Sequence, residues 1–288
     1  MKPLVSLITP TYRAGPFLRE FLESVLAQSY RPIEFFLVND GSDDDSEEIV
    51  RPYGQRFARA GIAFHYLVQE NKGQAAAFNL ALPHVTGRYL TWADSDDILH
   101  RDNIRLKAEY MRDTAGCHMV RNNALECAED GVTLINETAK PEDKRTHNIF
   151  DALFAGATYC FAGCYMVDTE LFRECYPASR IPESPIGQNL QLLLPPASRA
   201  ECHFIDAPLL IYRRHAHGHS SKKIPFPAAL AHRKNLAALL LELVEYCVCD
   251  AEKYRALAAW EEGKIFARLR QIRGRRKNNS PESTESAI

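Results

Sequence analysis

The sequence predicts an α/β fold with a mostly parallel central sheet, helices on both faces and a C-terminal helical extension. Short apolar runs alternate with segments whose apolar residues recur at helical spacing, and this order builds a parallel sheet. The runs show no polar alternation, as expected for strands covered on both faces. Polar clusters follow the runs, at the strand ends where such sheets bind ligands.

Four strands and three intervening helices are predicted in the N-terminal third of the chain. The strands are expected at Leu4–Thr9, Ile33–Val38, Ile62–Val68 and Tyr89–Trp92. The helices are predicted around Phe17–Leu26, Ile49–Phe57 and Gly73–Leu82. This β-α-β-α order implies a parallel sheet with helices on both faces.

The pattern weakens after a helix predicted at Asn103–Thr114. Short strands are expected at Met119–Val120, Val132–Ile135, Cys164–Val167, His203–Ile205 and Leu209–Arg213. Asn148 and Asp168 are predicted to cap short helices. A further helix from Gln188 is expected to end at Pro195 and Pro196, because proline interrupts helical hydrogen bonding.

Composition narrows the classes of protein. The formal net charge of -2 argues against a nucleic-acid partner, and no stretch of the 288 residues is long and apolar enough to span a bilayer. The first residues predict no signal peptide. The eight cysteines form no Cys-x-x-Cys pair, so we expect reduced thiols, no structural metal and a cytoplasmic protein.

The chain is predicted to contain one large domain and an appendage. The domain is expected at 1–223, a helical extension at 224–277 and a polar, disordered tail at 278–288. The extension carries an apolar stripe from Leu236 to Val244 and a basic run from Arg268 to Lys277. It could form a homodimer or contact the inner face of a membrane, or its basic run could be a solvated helix end.

The segment Thr91-Trp92-Ala93-Asp94-Ser95-Asp96-Asp97 places three carboxylates after a predicted buried strand. Such a density of charge is costly to bury unless a partner neutralises it, and a hard divalent cation with a diphosphate would do so. In an extended chain Asp94 and Asp96 would face one ligand together. The alternative is a solvated acidic turn that caps the next helix.

Two earlier strands also end in polar clusters, Thr9-Pro10-Thr11-Tyr12 and Asn39-Asp40-Gly41-Ser42. The Asp40 carboxylate could accept a hydrogen bond from the imide N–H of uracil, and Tyr12 could stack on a base. Either cluster alone could be an ordinary turn. Three clusters at successive strand ends favour a nucleotide site.

These motifs, together with Asn71-Lys72-Gly73-Gln74 and Asn79, resemble the family 2 glycosyltransferases with the GT-A fold. The resemblance covers roughly the first hundred residues closely and extends more loosely to about Ser221. It implies transfer of a sugar from a nucleotide diphosphate donor, most often a UDP-sugar, to a hydroxyl with inversion at the anomeric carbon. The implied acceptor is a glycan or a lipid-linked glycan in surface polysaccharide synthesis.

The resemblance also implies roles for individual residues. The nucleotide would contact Thr9, Pro10, Tyr12, Asp40, Lys72, Gly73, Asp94 and Ser95. Asp96 would ligate Mn²⁺ or Mg²⁺, and Tyr212-Arg213-Arg214-His215 matches a late family element whose histidine joins the metal. Arg213 or Arg214 would pair with diphosphate oxygens.

The catalytic base is the point at which this chain departs from the family. Members commonly carry a Glu-Asp pair before a helix, and this chain has Gln188 and Asn189, which cannot take a proton at neutral pH. These amides could bind the acceptor sugar. The nearest carboxylate is Glu183, which is predicted to be the base, with a solvated loop glutamate as the alternative.

This departure leaves a second class of function open, a nucleotide-sugar-binding protein with weak or no catalysis. A sugar-phosphate nucleotidyltransferase ranks third. Such an enzyme usually has a glycine-rich phosphate loop near the first strand, and Thr9-Pro10-Thr11-Tyr12-Arg13-Ala14-Gly15 lacks one.

Overall fold

The computed structural model describes residues 2–215 and 226–259. Its centre is a nine-stranded sheet with the order β3-β2-β1-β4-β8-β6-β9-β5, to which β7 is added beside β6. The predictions made for the basic run from Arg268 to Lys277 and the tail 278–288 lie outside the described residues.

The N-terminal half is the parallel part of the sheet. It comprises β1 (Val5–Thr11), α1 (Gly15–Leu26), β2 (Ile33–Asp40), α2 (Ser46–Val50), α3 (Tyr53–Arg59), β3 (Ile62–Gln69), α4 (Gln74–Ala81) and β4 (Tyr89–Trp92). β1 pairs in parallel with both β2 and β4, and β2 pairs in parallel with β3. All residues of β1, β2 and β4 are buried, which confirms the prediction from their continuous apolar sequences.

The strand order reverses direction between β3 and β4. The chain moves outward from β1 to β2 to β3 and then returns to place β4 on the other side of β1. Because parallel crossovers are right-handed, this reversal puts the helices before β3 and helix α4 on opposite faces. The crevice between the carboxyl ends of β1 and β4 is therefore the expected ligand site.

The C-terminal half is mixed in direction. It comprises β5 (Ile98–Leu99), α5 (Asn103–Asp113), β6 (Met119–Cys127), β7 (Leu134–Glu137), α6 (Phe150–Phe154), β8 (Tyr165–Asp168), α7 (Thr169–Cys175), α8 (Gln188–Ala197), β9 (Cys202–Arg213) and α9 (Phe226–Val244). β8 is antiparallel to β4 and β6, whereas β6 and β9 are parallel. β9 therefore runs in the same direction as β4.

Several predicted boundaries change once the chain is packed. β6 extends to Cys127, because pairing with β9 and β7 supports residues that carry no strong strand pattern. The two strands predicted between His203 and Arg213 are one strand with register shifts. Pro195 and Pro196 lie inside α8 instead of ending it, and the helix predicted around Ile49 is divided at Pro52.

Of the two predicted helix caps, Asp168 is confirmed, whereas the N-cap residue of α6 is Ile149 and Asn148 Oδ1 only accepts a 3.3 Å hydrogen bond from the Phe150 backbone N–H. Asp168 Oδ1 accepts a hydrogen bond from the Glu170 backbone N–H, as expected for a helix cap. In α9, Leu239, Leu243 and Val244 are buried with the strands of the sheet. A further helical segment at 251–259 places Tyr254 against Phe150 and Phe154 of α6. In the part of the chain described, no helix has the length and apolar character needed to cross a membrane.

Candidate functional site

The acidic segment lies at the predicted end of the sheet, directly after β4. Asp94, Asp96 and Asp97 each offer a carboxylate oxygen, and these oxygens lie within 4.8 Å of one another. The segment forms a turn in which the Asp97 N–H faces the Asp94 carbonyl at 3.5 Å. Asp94 and Asp96 thus do converge, but the extended geometry expected for them is wrong, and the turn recruits Asp97 as well.

Burial makes two of these carboxyl groups, those of Asp94 and Asp97, weaker acids than usual. Burial, followed by the nearby charge of Asp96, raises the pKa of Asp94 to about 7. Burial and the charges of Asp96 and Asp94 raise the pKa of Asp97 well above its ordinary value. Asp97 Oδ1 accepts a hydrogen bond of 2.9 Å from the Arg213 backbone N–H, whereas its buried Oδ2 has no partner among the described residues. A cation at the turn would offset the free-energy cost of burying these carboxylates.

His215 completes the group, although it is distant in sequence. Its Nε2 lies 2.9 Å from Asp96 Oδ2, and its side chain is almost fully buried. The imidazole packs on the ring of Phe17 from α1, with 4.5 Å between the ring centroids. Its Nδ1 has no hydrogen-bond partner within the described chain.

The donor set fits a divalent cation. Carboxylate oxygens are the ligands that Mg²⁺ and Mn²⁺ prefer, and the imidazole nitrogen favours Mn²⁺. The unpartnered Oδ2 of Asp97 is the kind of buried atom that a cation would satisfy. Asp94, Asp96, Asp97 and His215 can therefore hold a divalent cation.

Arg213 is engaged in contacts that do not favour its predicted role with diphosphate. Its guanidinium donates to a carboxylate oxygen of Glu20 and to the Glu129 carbonyl, and it lies over the ring of Phe17. The side chain is only 4% exposed. Arg213 thus fixes the end of β9 to α1. Arg214 is about half exposed and pairs with Glu126, so it is the better placed of the two arginines.

The Asp40 carboxylate organises the loop between β3 and α4. Its Oδ1 accepts hydrogen bonds from Gln69 Nε2 at 2.7 Å and from the Lys72 backbone N–H at 2.9 Å. Its Oδ2 accepts from the Gly73 backbone N–H at 2.9 Å. Asp40, Lys72 and Gly73, predicted separately from sequence, therefore form one hydrogen-bonded unit at the carboxyl edge.

The turn after β2 depends on a glycine. Gly41 has φ +72°, and a Cβ at this position would lie 2.7 Å from the Asn71 backbone nitrogen. A larger residue would therefore push the loop that holds Lys72 away from Asp40.

The end of β1 separates buried from accessible residues. Thr9 and Pro10 are buried in the strand opposite Leu37 and Val38, so their side chains support the sheet. Tyr12 is 43% exposed, with the Arg13 guanidinium 5.0 Å from its ring centroid. Tyr12 is thus accessible for stacking, whereas Thr9 and Pro10 are better suited to shaping the floor of the site.

The two amides that replace the family's carboxylates lie close to the end of β4. Asn189 Oδ1 accepts a hydrogen bond of 3.0 Å from the indole N–H of Trp92, the last residue of that strand. Gln188 is the first residue of α8 and follows Gly187, which has φ +71°. The structure therefore brings Asn189 against the side chain of Trp92, two residues before Asp94.

Glu183 lies in the loop before α8. It accepts hydrogen bonds from Arg180 and, at 3.4 Å, from Asn79 Nδ2. Its side chain is 48% exposed. Asn79 also binds the backbone of Ile181 through both amide atoms. Helix α4 thus anchors this loop, and Glu183 remains open to solvent.

Four residues of the site have no role in the sequence prediction. Asp97 belongs to the acidic segment, and its adjacency to Asp96 was the available signal. Phe17, Glu20 and Gln69 contact site residues only after folding. Their sequence neighbourhoods are ordinary helix and strand, so no local pattern identifies them.

Together, the reversal of strand order and the mostly parallel sheet with helices on both faces define a GT-A fold, and the Asp40 unit and the acidic turn follow the carboxyl ends of its strands. The profile of glycosyl transferase family 2 matches residues 6–175, more than half of the chain. The chain belongs to this family.

Known proteins agree with this assignment. A putative teichuronic acid biosynthesis glycosyltransferase, TuaG of Bacillus subtilis, is 34% identical over 141 residues, which are 49% of this chain and 54% of TuaG. The crystal structure of S. aureus TarS 1-349 with UDP-GlcNAc superposes with a TM-score of 0.65 at 15% identity, covering 88% of this chain and 69% of that one. A mannosyltransferase of Pyrobaculum calidifontis, solved with GDP-Man and Mn²⁺, gives 0.56 at 19% identity, covering 95% and 76%.

The two structural similarities concern the fold alone. The matched segment spans only 30% of the length of the first two curated relatives, both rickettsial glycosyltransferases described as uncharacterized. The donor, the acceptor and the reaction of this chain therefore have to be argued from its own residues.

Proposed function

We propose that this protein is a metal-dependent inverting glycosyltransferase that uses a UDP-sugar and a glycan or lipid-linked acceptor. The observation that carries the proposal is the acidic turn, where three carboxylates and His215 meet at the switch point beside the Asp40 unit. A solvated acidic turn would not bury Asp97 to 1% exposure with one oxygen unpartnered. The buried carboxylates thus lack a neutralising positive charge, which a cation bound together with the diphosphate would supply.

The nucleotide is proposed to bind along the carboxyl edge. The base would stack on Tyr12, over the floor formed by Thr9 and Pro10. Asp40, which uses three of its roughly four lone-pair sites on Gln69, Lys72 and Gly73, retains one for the imide N–H of uracil. Asp94, which follows β4, is proposed to contact the ribose, and Ser95 is proposed to contact the nucleotide.

The metal would be held by Asp96, Asp97 and His215, with Asp94 in reach of the same position. When bound, Mn²⁺ or Mg²⁺ supplies positive charge that stabilises the departing nucleoside diphosphate. His215 and the turn would hold this charge in position. Arg214, the residue before His215, is proposed to pair with the diphosphate oxygens.

Glu183 is the proposed base, and Gln188 with Asn189 is proposed to bind the acceptor sugar. The half-exposed Glu183 carboxylate can take the proton of an attacking hydroxyl, while Arg180 and Asn79 keep it oriented. The alternative function is binding of a nucleotide sugar without transfer. It is favoured by the same amide pair, since Asn189 is already engaged with Trp92.

The first experiment is a thermal-shift panel of UDP, GDP, dTDP and CDP, each with and without Mn²⁺. Ligands that bind only the native state raise the melting temperature by mass action. We expect UDP to stabilise the wild type only with Mn²⁺ and to have no effect on Asp96→Ala. Asp113→Ala, which removes an exposed carboxylate on α5, is the control and should behave as wild type. Metal-independent or absent stabilisation by all four nucleotides would refute the donor site.

A second experiment separates transfer from binding. Glu183→Gln should lower turnover by about 100-fold or more while UDP still stabilises the protein, because the amide cannot take a proton. Glu174→Gln, on the exposed face of α7, is the matched control. Unchanged turnover in Glu183→Gln would assign the base elsewhere, and absent turnover in the wild type would favour the binding protein.

The remaining proposals concern location. We propose that the protein acts on the cytoplasmic side of a membrane, where nucleotide sugars and a lipid-linked acceptor would meet. The similarity to TuaG, which is named for teichuronic acid biosynthesis, supports a surface polysaccharide as the product.

A further inference from the structure

A second group of metal-ligating side chains lies away from the donor site. His147, Glu201 and His203 each offer one ligand atom, and these atoms lie within 4.8 Å of one another. His147 Nδ1 and Glu201 Oε2 are 3.8 Å apart. Two ligand atoms on a tetrahedral ion with bonds of about 2.1 Å would be separated by about 3.4 Å. His147 Nδ1 and Glu201 Oε2 would therefore need to approach by only about 0.4 Å to bind one ion.

The group lies at the amino-terminal end of β9, whereas the acidic turn lies at its carboxyl-terminal end. β9 begins at Cys202 beside this group and ends at Arg213, whose backbone N–H binds Asp97. Ten residues of extended chain separate His203 from Arg213, which corresponds to roughly 30 Å at about 3.3 Å per residue. An ion at one end of β9 therefore cannot share ligands with an ion at the other end.

Contacts outside the group orient the ring of His203 and hold the backbone of His147 beside β9. The Tyr110 hydroxyl lies 3.2 Å from His203 Nδ1, which leaves Nε2 of that ring for an ion. The His147 carbonyl accepts a hydrogen bond of 2.8 Å from the Cys202 backbone N–H, so the two segments are held together at their main chains. Such supporting contacts are characteristic of metal-binding histidines.

The present geometry also has a simpler interpretation, a stacked pair of imidazoles. The rings of His147 and His203 are 4.7 Å apart between centroids and inclined by 18°. Parallel rings direct their lone pairs side by side, so an ion requires one ring to turn. The His147 side chain is 44% exposed and is free to rotate, whereas His203 is fixed by Tyr110.

We propose that His147, Glu201 and His203 form a Zn²⁺-type site, with water as the fourth ligand. Two imidazole nitrogens and one carboxylate oxygen suit Zn²⁺ and disfavour Mg²⁺, in contrast to the oxygen-rich turn at Asp94–Asp97. The bound ion would fasten the segment before α6 to the start of β9. This inference is independent of glycosyl transfer, because none of the three residues belongs to the donor site.

Zinc binding should be measured by calorimetry in Asp96→Ala, which weakens the acidic turn as a competing site. The additional substitution His147→Gln should remove one Zn²⁺ per chain, and the exposed side chain makes this change safe for folding. His84→Gln, an exposed histidine after α4, is the matched control and should leave the stoichiometry unchanged. Tyr110→Phe should weaken Zn²⁺ binding about 10-fold or more by releasing His203.

The contrary results are distinct from those for the donor site. Equal Zn²⁺ stoichiometry and affinity with and without His147→Gln would overturn the proposal. So would equal binding of Mg²⁺ and Zn²⁺, since the nitrogen ligands would then play no part. Because the assay contains neither nucleotide nor acceptor, its failure leaves the glycosyltransferase proposal untouched.

Discussion

At the scale of the residue, Asp97 shows how the site is poised for a cation. It is 1% exposed, it lies within reach of two other carboxylates and one of its oxygens has no partner in the described chain. Natural sequences rarely retain such a group unless it serves a function, because burying it costs stability. The Arg213 backbone N–H holds only the other oxygen.

We predict that Asp97→Asn stabilises the metal-free protein at pH 8. The folded state raises the pKa of Asp97, so the folded protein binds the proton more tightly than the unfolded chain, and stability falls as pH rises above about 4. The asparagine keeps an oxygen for the Arg213 N–H and removes the charge. Its melting temperature should exceed that of the wild type at pH 8, and the gap should close as pH falls toward 4.

Mn²⁺ provides the internal check for this variant. Adding the metal at pH 8 should raise the melting temperature of the wild type more than that of Asp97→Asn, since the variant lacks a charged ligand. Asp113→Asn, on an exposed carboxylate, should show neither effect. A destabilised Asp97→Asn at pH 8 without metal would contradict this account of the turn.

At the scale of the element, α1 holds the end of β9 over the acidic turn. Phe17 lies between the His215 ring and the Arg213 guanidinium, at 4.5 and 4.8 Å, and Glu20 pairs with the same guanidinium. One face of α1 thereby holds Arg213 and His215 in position at the site. His215 reaches Asp96 because this packing orients it.

We predict that Phe17→Ala weakens Mn²⁺ binding by about 10-fold, as expected when a contact that orients a ligand is lost. The measurement is the affinity for Mn²⁺ alone, from electron paramagnetic resonance of the free ion. Phe17→Tyr retains the ring, and its hydroxyl can reach solvent, so it should restore the affinity. If Phe17→Ala binds Mn²⁺ as the wild type does, His215 is either oriented by other contacts or not a ligand.

At the scale of the whole molecule, the helical extension belongs to the core that supports the site. A Cβ on Gly187 would lie 2.6 Å from a Leu239 methyl group, so α9 packs directly on the turn that starts α8. Leu239 and Leu243 are buried with the residues of the sheet. The boundary predicted at 223 therefore marks a change in the sequence pattern. The described part of the extension packs in the same hydrophobic core as the domain before it.

We predict that Leu239→Ala lowers the free energy of unfolding by about 2–5 kcal/mol, the usual cost of a cavity in a core. Urea unfolding followed by circular dichroism should remain one cooperative transition at a lower midpoint. Leu257→Ala, at a 38% exposed position, is the control and should change little. A transition that splits into two would show that the extension unfolds as a separate unit.

The sequence by itself determined the parallel β-α-β half and the positions of Asp40, Lys72, Gly73, Asp94 and Asp96. Buried parallel strands are continuous apolar runs, and the residues that follow them must lie at one edge, so local pattern and topology suffice there. Only the tertiary structure decided that Arg213 packs against Glu20, that Phe17 packs on His215 and that the Arg213 backbone N–H binds Asp97. These outcomes depend on contacts between residues far apart in sequence, which fix burial and charge pairing and leave no periodic signal in the chain.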